Sequence, residues 1–188
     1  MLARCMSLPP APQIHSLSSH PATPRGPVRE LQASVRRDGD TLLLQYRLEG
    51  DLDSLLLPRQ DLPRRADNLW KHSCFEAFLG GAGSSPYREY NFSPSGGWAI
   101  YDFDGYRSRM RTDQRVVIPG IMTRRDAGAF ILDATVDIRW MPTAMAAGPR
   151  LGVTAVIEDK AGVLSYWALK HPSEKPDFHH ADGFTIKL

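Results

Sequence analysis

The chain has 188 residues, 42% of them hydrophobic and 23% charged, with a formal net charge of +2, which is the size and composition of one globular domain and leaves no room for a second catalytic one. The near-balanced charge, with Arg36-Arg37, Arg64-Arg65 and Arg124-Arg125 scattered close to aspartates, argues against a nucleic-acid-binding stripe, and no segment reaches the roughly 18 apolar residues of a membrane span. Cys5 and Cys74 are the only thiols and Pro9, Pro10 and Pro12 break the start, so neither a disulfide framework nor a signal peptide is expected and the setting is read as cytoplasmic and reducing.

Residues 1–20, rich in Pro and Ser, predict a flexible lead-in in which "QIHSLSSH" has room for one short edge strand; the domain runs over 21–188. From Val28 the period becomes two. Leu31, Ala33 and Val35 alternate with polar residues, Asp38-Gly39 turns, and Leu42, Leu44, Tyr46 and Leu48 repeat the pattern, which predicts a hairpin with one apolar face. Asp51 to Leu69 reads as a crossing loop with a helical turn at "DLDSLLL". "SCFEAFLG", "YREYNFSPS", "GWAIYDF", "RVVIPGI", "AFILDATVDIRW", "RLGVTAVIED", "VLSYWALK" and "GFTIKL" follow, each bounded by turn residues, and Phe130, Leu132, Ala134, Val136 and Ile138 give the cleanest alternation. About ten short strands without an amphipathic helix predict an all-β antiparallel β-sandwich or jelly roll. "PTAMAAGP" is enclosed by Pro142 and Pro149 and predicts at most a turn or two of helix.

For chemistry, the chain has no Gly-flanked serine elbow, no Walker loop, no HExxH and no CxxC, which lowers the case for an enzyme. His179, His180 and His72 are metal or haem candidates, but adjacent side chains on a strand point apart, so the first two chelate one ion only from a loop. Trp70, Trp98 and Trp167 each lie beside polar residues at a strand edge. A flat indole next to such groups suits a sugar, whose CH groups stack while its hydroxyls bond; packing in the core is the competing reading, and Trp140 is assigned to packing. Glu76 shares a strand face with Cys74 and Phe78, so it is either wet or buried against Arg107, Arg88 or His72. In the hairpin after Asn91, Tyr101 and Phe103 fill a core better than Trp98 and Asp102 do, which places Trp98 at the wetter surface.

"LWKHSCFEAFLG", "YREYNFSPSGGWAIYDFDGYR" and "SYWALKHPSEKPDFHHADGF" together resemble the small bacterial DOMON-like domains grouped with the family 9 carbohydrate-binding modules, from about Pro21 to the C-terminus. The resemblance implies a jelly-roll or immunoglobulin-like sandwich whose relatives bind sugars or haem without breaking bonds. It further implies a pair of tryptophans, Trp70 and Trp167 with Trp98 as a third candidate, clamping a sugar among Asn, Arg and Glu.

The expectation is therefore a non-catalytic module for a carbohydrate or related small polar ligand. Trp70, Trp98 and Tyr101 serve as platforms in it, and His72, Asn91, Arg107 and His179 as directional contacts. Three alternatives stand beside it. One is a b-type haem domain, whose relatives use Met with His or Lys, for which Met110, Met122, Met141 and Met145 are present. Another is a small enzyme using His179 or His72 with Glu76. The last is a protein–protein interaction module or homodimer pairing through a sheet edge.

Overall fold

The computed structural model describes residues 10–83, 85–108, 117–139, 141, 143–146 and 148–188. Cys5, Met110 and Trp140 lie outside the described residues. In chain order the strands are β1 (Gln13–Ser16), β2 (Ser18–Ser19), β3 (Val28–Asp38), β4 (Thr41–Gly50), β5 (Arg64–Arg65), β6 (Cys74–Gly81), β7 (Tyr87–Phe92), β8 (Gly97–Phe103), β9 (Gly120–Asp126), β10 (Ala129–Asp137), β11 (Pro149–Glu158), β12 (Leu164–Ala168) and β13 (Ile186–Lys187). They form two sheets, a smaller one in the order β1-β3-β4-β10-β9 and a larger one in the order β2-β12-β11-β6-β7-β8-β5, with β13 added beside β11. Neighbours run antiparallel except β5, which pairs with β8 in parallel. The protein is an all-β sandwich.

The smaller sheet follows directly from the two-residue period. Gly39 takes φ +58° at the β3–β4 turn, a conformation open to glycine without a Cβ penalty. Leu31, Ala33, Val35, Leu42, Leu44, Tyr46 and Leu48 then face inward with Phe130, Leu132, Ala134 and Val136 of β10. From the larger sheet, Phe75, Leu79, Tyr90, Phe92, Leu151 and Val153 meet them in one continuous core. The Tyr46 hydroxyl crosses this core and donates to the Glu76 carbonyl at 2.7 Å, which satisfies a buried polar tip.

Three details depart from the sequence reading. Among the described residues the strands number thirteen, because β2, β5 and β13 are two-residue pairings. The segment before Pro21 supplies two edge strands where one was expected: β1 pairs with β3 and β2 with β12, so the lead-in spans both sheets, with Leu17 buried between them. The strand expected at "RVVIPGI" instead begins at Gly120 and ends at Asp126. Pro119 has no backbone donor for a ladder, which delays the start. A single helical turn at Thr143–Ala146 and a 3-10 turn at Leu52–Ser54 fall where short helices were expected. Among the described residues no helix is long and apolar enough to cross a membrane.

The larger sheet is unusual in being buried on both faces: every residue of β7 and β8 is buried. Its outer face carries a second cluster of Phe78, Tyr87, Ala99, Tyr101 and Phe103, covered by Phe178 and Phe184 from the segment after β12. Phe184 lies on the glycines of β6 and β11. A Cβ at Gly152 would stand 2.9 Å from the Phe184 ring and 3.1 Å from the Gly183 carbonyl. The absent side chains thus let the C-terminal segment approach the sheet, and that segment walls one side of a cavity.

Candidate functional site

Strand parity builds the floor of this cavity. Glu76 and Phe78 of β6, Glu89 of β7, Tyr101 and Phe103 of β8 and Val156 of β11 point outward together. Asp67, Asn68 and Trp70 come from the loop before β6, Tyr166 from β12, and Arg107 from the turn after β8. Pro176, Phe178 and His179 complete the wall, enclosing about 810 Å³, which falls in the range of small-molecule sites. Asn68 and Arg107 both line it with positive φ, 61° and 49°. The left-handed region is uncommon for a residue with a Cβ, and such strain collects at ligand-holding positions.

Glu76 is 2% exposed; its Oε1 has no hydrogen-bond partner among the described residues, and its Oε2 accepts from Thr154 Oγ1 at 3.5 Å. Burial, followed by the nearby Glu89 carboxylate, pushes the Glu76 carboxyl well above its usual range. Glu89 is likewise buried. One oxygen accepts from Asn91 Nδ2 at 2.6 Å and the other lies 3.9 Å from His179 Nε2. Desolvation raises its carboxyl too, against the opposing pull of Asn91 and Arg107.

A hydrogen-bonded chain fixes His179. The Arg107 backbone N–H donates to the Tyr87 hydroxyl at 3.1 Å, and that hydroxyl lies 2.8 Å from His179 Nδ1. With Nδ1 accepting from Tyr87, the imidazole proton sits on Nε2 and faces Glu89. Burial and the neighbouring Arg107 bring the His179 pKa down to about 4, so the ring is neutral at pH 7. Desolvation pushes the Tyr87 phenol up to about 12. Asp177 ties the outer wall: it accepts from Tyr106 at 2.7 Å, from Arg107 Nη2 at 3.0 Å and from the His179 backbone N–H at 3.1 Å. On the other side Tyr101 donates to Asp67 at 2.6 Å, and Arg65 closes on the same carboxylate.

Of the residues singled out from sequence, Trp70, Tyr101, Arg107 and His179 line this cavity. Asn91 is fully buried on the same outward face, where it holds Glu89 and accepts from Cys74 Sγ at 3.5 Å. His72 is exposed and bonded to Glu158 at 2.8 Å, and it is not among the lining residues. Trp98 turns out to face inward: it is 8% exposed within the inter-sheet core, because it shares parity with Ile100, and both fill the space between the sheets. Tyr101 and Phe103 occupy the outer face, and the C-terminal segment makes that face apolar. Trp167 is also a core residue, with its Nε1–H donating to Ser165 Oγ at 2.9 Å, so it cannot clamp a ligand opposite Trp70. Nor does Glu76 pair with the cations proposed for it. Arg88 bonds Asp102 at 2.8 Å, Arg107 bonds Asp177, and His72 bonds Glu158.

Glu89, Tyr166 and Phe178 escaped the sequence reading. The parity of "YREYNF" groups Glu89 with Tyr87 and Asn91 and was the available signal; Phe178 lies in a loop, where no period exists. Met122 is exposed and Met145 buried, Met141 packs against the main core, and no methionine among the described residues lines the cavity. Met110, the methionine first considered as an axial ligand, lies outside the described residues. No group of three His, Cys, Asp or Glu suited to a metal ion occurs among the described residues.

No protein-family model and no curated protein matches the chain. Among solved structures it is similar to a "putative carbohydrate-binding protein" from Bacteroides uniformis ATCC 8492, with TM-score 0.65 and 13% identity over 93% of this chain and 84% of the other. It also aligns with a carbohydrate binding module family 9 from Caldicellulosiruptor kristjanssonii in complexes with cellotriose and with glucose. Both alignments have TM-score 0.48 and 11% identity over 84% of this chain, covering 72% and 74% of the respective partners. At such identity the likeness to the Bacteroides protein is one of fold.

Proposed function

We propose that this protein is a non-catalytic module that binds a carbohydrate in the cavity on the outer face of its larger sheet. The observation that carries the reading is the pairing of Trp70, 48% exposed, with the buried Glu76 carboxyl in one cavity of about 810 Å³. An exposed indole offers an apolar face for the CH groups of a pyranose, and fixed polar groups beside it take the hydroxyls. Tyr101 and Phe178 extend the aromatic wall; Glu89, His179 and Arg107 supply acceptors and donors at set positions. The shared fold with a protein named for carbohydrate binding supports the same reading.

Isothermal titration calorimetry over a panel of mono- and disaccharides tests it, with the sugar recovered and checked by NMR. The expected result is saturable binding of at least one sugar, returned unchanged, and a loss of about tenfold or more in affinity on Trp70→Ala without a change in melting temperature. Silence across the panel, or a cleaved sugar, overturns the proposal.

A further inference from the structure

Resting on the carbohydrate reading, we propose that the favoured ligand is an amino sugar, its protonated primary amine seated between Glu76 and Glu89. Cross-strand register sets the two carboxyls close together: Glu76 faces Asn91, and Glu89 is the next outward residue along β7. Among the described residues neither meets a cation at bonding distance. Glu76 has the Thr154 hydroxyl and the Cys74 thiol as neighbours, and Glu89 has the Asn91 amide and a neutral His179. Among the described lining residues Arg107 is the single Lys or Arg, and its Nη2 is bonded to Asp177.

Two buried carboxyls without a positively charged partner are costly to keep ionised. A ligand ammonium removes that cost by bringing one positive charge and N–H donors to the unpartnered Glu76 oxygen. The surrounding walls favour the same charge, since Phe78, Tyr101, Tyr166 and Phe178 line the cavity and an aromatic ring attracts a desolvated cation to its face. A neutral hydroxyl needs only one acid to bond, and it leaves the second carboxylate uncompensated.

The binding step has a proton balance. The groups facing Glu76 are Cys74 on its own strand, Glu89 on β7, Tyr166 on β12, Tyr46 across the core, and, around the cavity, His179, Arg107 and Asp67. In the free site burial and the neighbouring Glu89 carboxylate favour the protonated form of Glu76. An arriving ammonium stabilises the carboxylate, and the Glu76 proton leaves to the buffer.

Calorimetry with D-glucosamine, N-acetyl-D-glucosamine and D-glucose tests this, in two buffers of different ionisation enthalpy and at a pH where the free amine is protonated. Glucosamine is expected to bind about tenfold or more tighter than the other two, with net proton release. Glu76→Gln, checked as folded by its melting temperature, is expected to lose both the preference and the release; Glu89→Gln reports the second carboxyl independently. If neutral sugars bind as well as glucosamine, or if glucosamine binds with no proton release and equal affinity in Glu76→Gln, the amine inference fails and the carbohydrate reading stands. If no sugar binds, both fail.

Discussion

Glu76 and Glu89 stand on adjacent strands, one outward residue out of register, both buried and both facing the same cavity. Their stability signature is that of acids, not of salt-bridged carboxylates. The Glu76 carboxyl is held above its ordinary value, so the folded protein keeps a proton that the unfolded chain releases. Stability is then full below the ordinary carboxylate range and falls as pH rises toward the raised value. Glu76→Gln is expected to flatten that decline and to make the free protein more stable than the wild type at neutral pH. Urea unfolding from pH 4 to 8 checks it; a destabilised variant would show an ionised, well-paired Glu76.

His179 works in the opposite direction. Its pKa falls to about 4 from an ordinary 6.5, so its contribution is full above 6.5 and is lost as pH drops toward 4. Imidazole nitrogen NMR is expected to show the Nε2–H tautomer and a midpoint near 4. Tyr87→Phe, which removes the bond to Nδ1, is expected to release the tautomer preference.

The tryptophans separate core from site. Trp98→Ala empties inter-sheet volume and is expected to cost about 3–5 kcal/mol, whereas Trp70→Ala is expected to change stability by about 0.5 kcal/mol or less while removing ligand affinity. Chemical denaturation of both variants decides it. Equal losses would mean that Trp70 is a packing residue.

Gly152→Ala places a methyl group 2.9 Å from the Phe184 ring and 3.1 Å from the Gly183 carbonyl. The ring can swing but the backbone cannot, so the segment bearing Phe178 and His179 must lift. A loss of about 1–3 kcal/mol is expected, with weaker ligand binding beyond the change in melting temperature. A variant of full affinity would uncouple that segment from the site.

The fold was legible because the alternating runs at Leu31–Val35, Leu42–Leu48 and Phe130–Ile138 state their own faces, and one-sided burial leaves a single register open to them. The hairpin at Trp98 was misread for a definite reason. Its strand is covered on both faces, so residue polarity no longer marks which side is core. Trp70, Tyr101, Arg107 and His179 were recognisable as chemistry-bearing residues, yet Glu89 needed the β6–β7 register to join Glu76. Phe178 and Phe184 reach the site through a loop that docks on glycines, a tertiary event with no periodic trace.

The most direct test of the account is a titration of the 15N-labelled protein followed through the tryptophan indole signals, using the tightest-binding sugar. The account predicts that the Trp70 indole and the His179 ring shift together and saturate while the buried Trp98 and Trp167 indoles stay in place. A sugar that moves other surface signals and leaves Trp70 and His179 unshifted would contradict it.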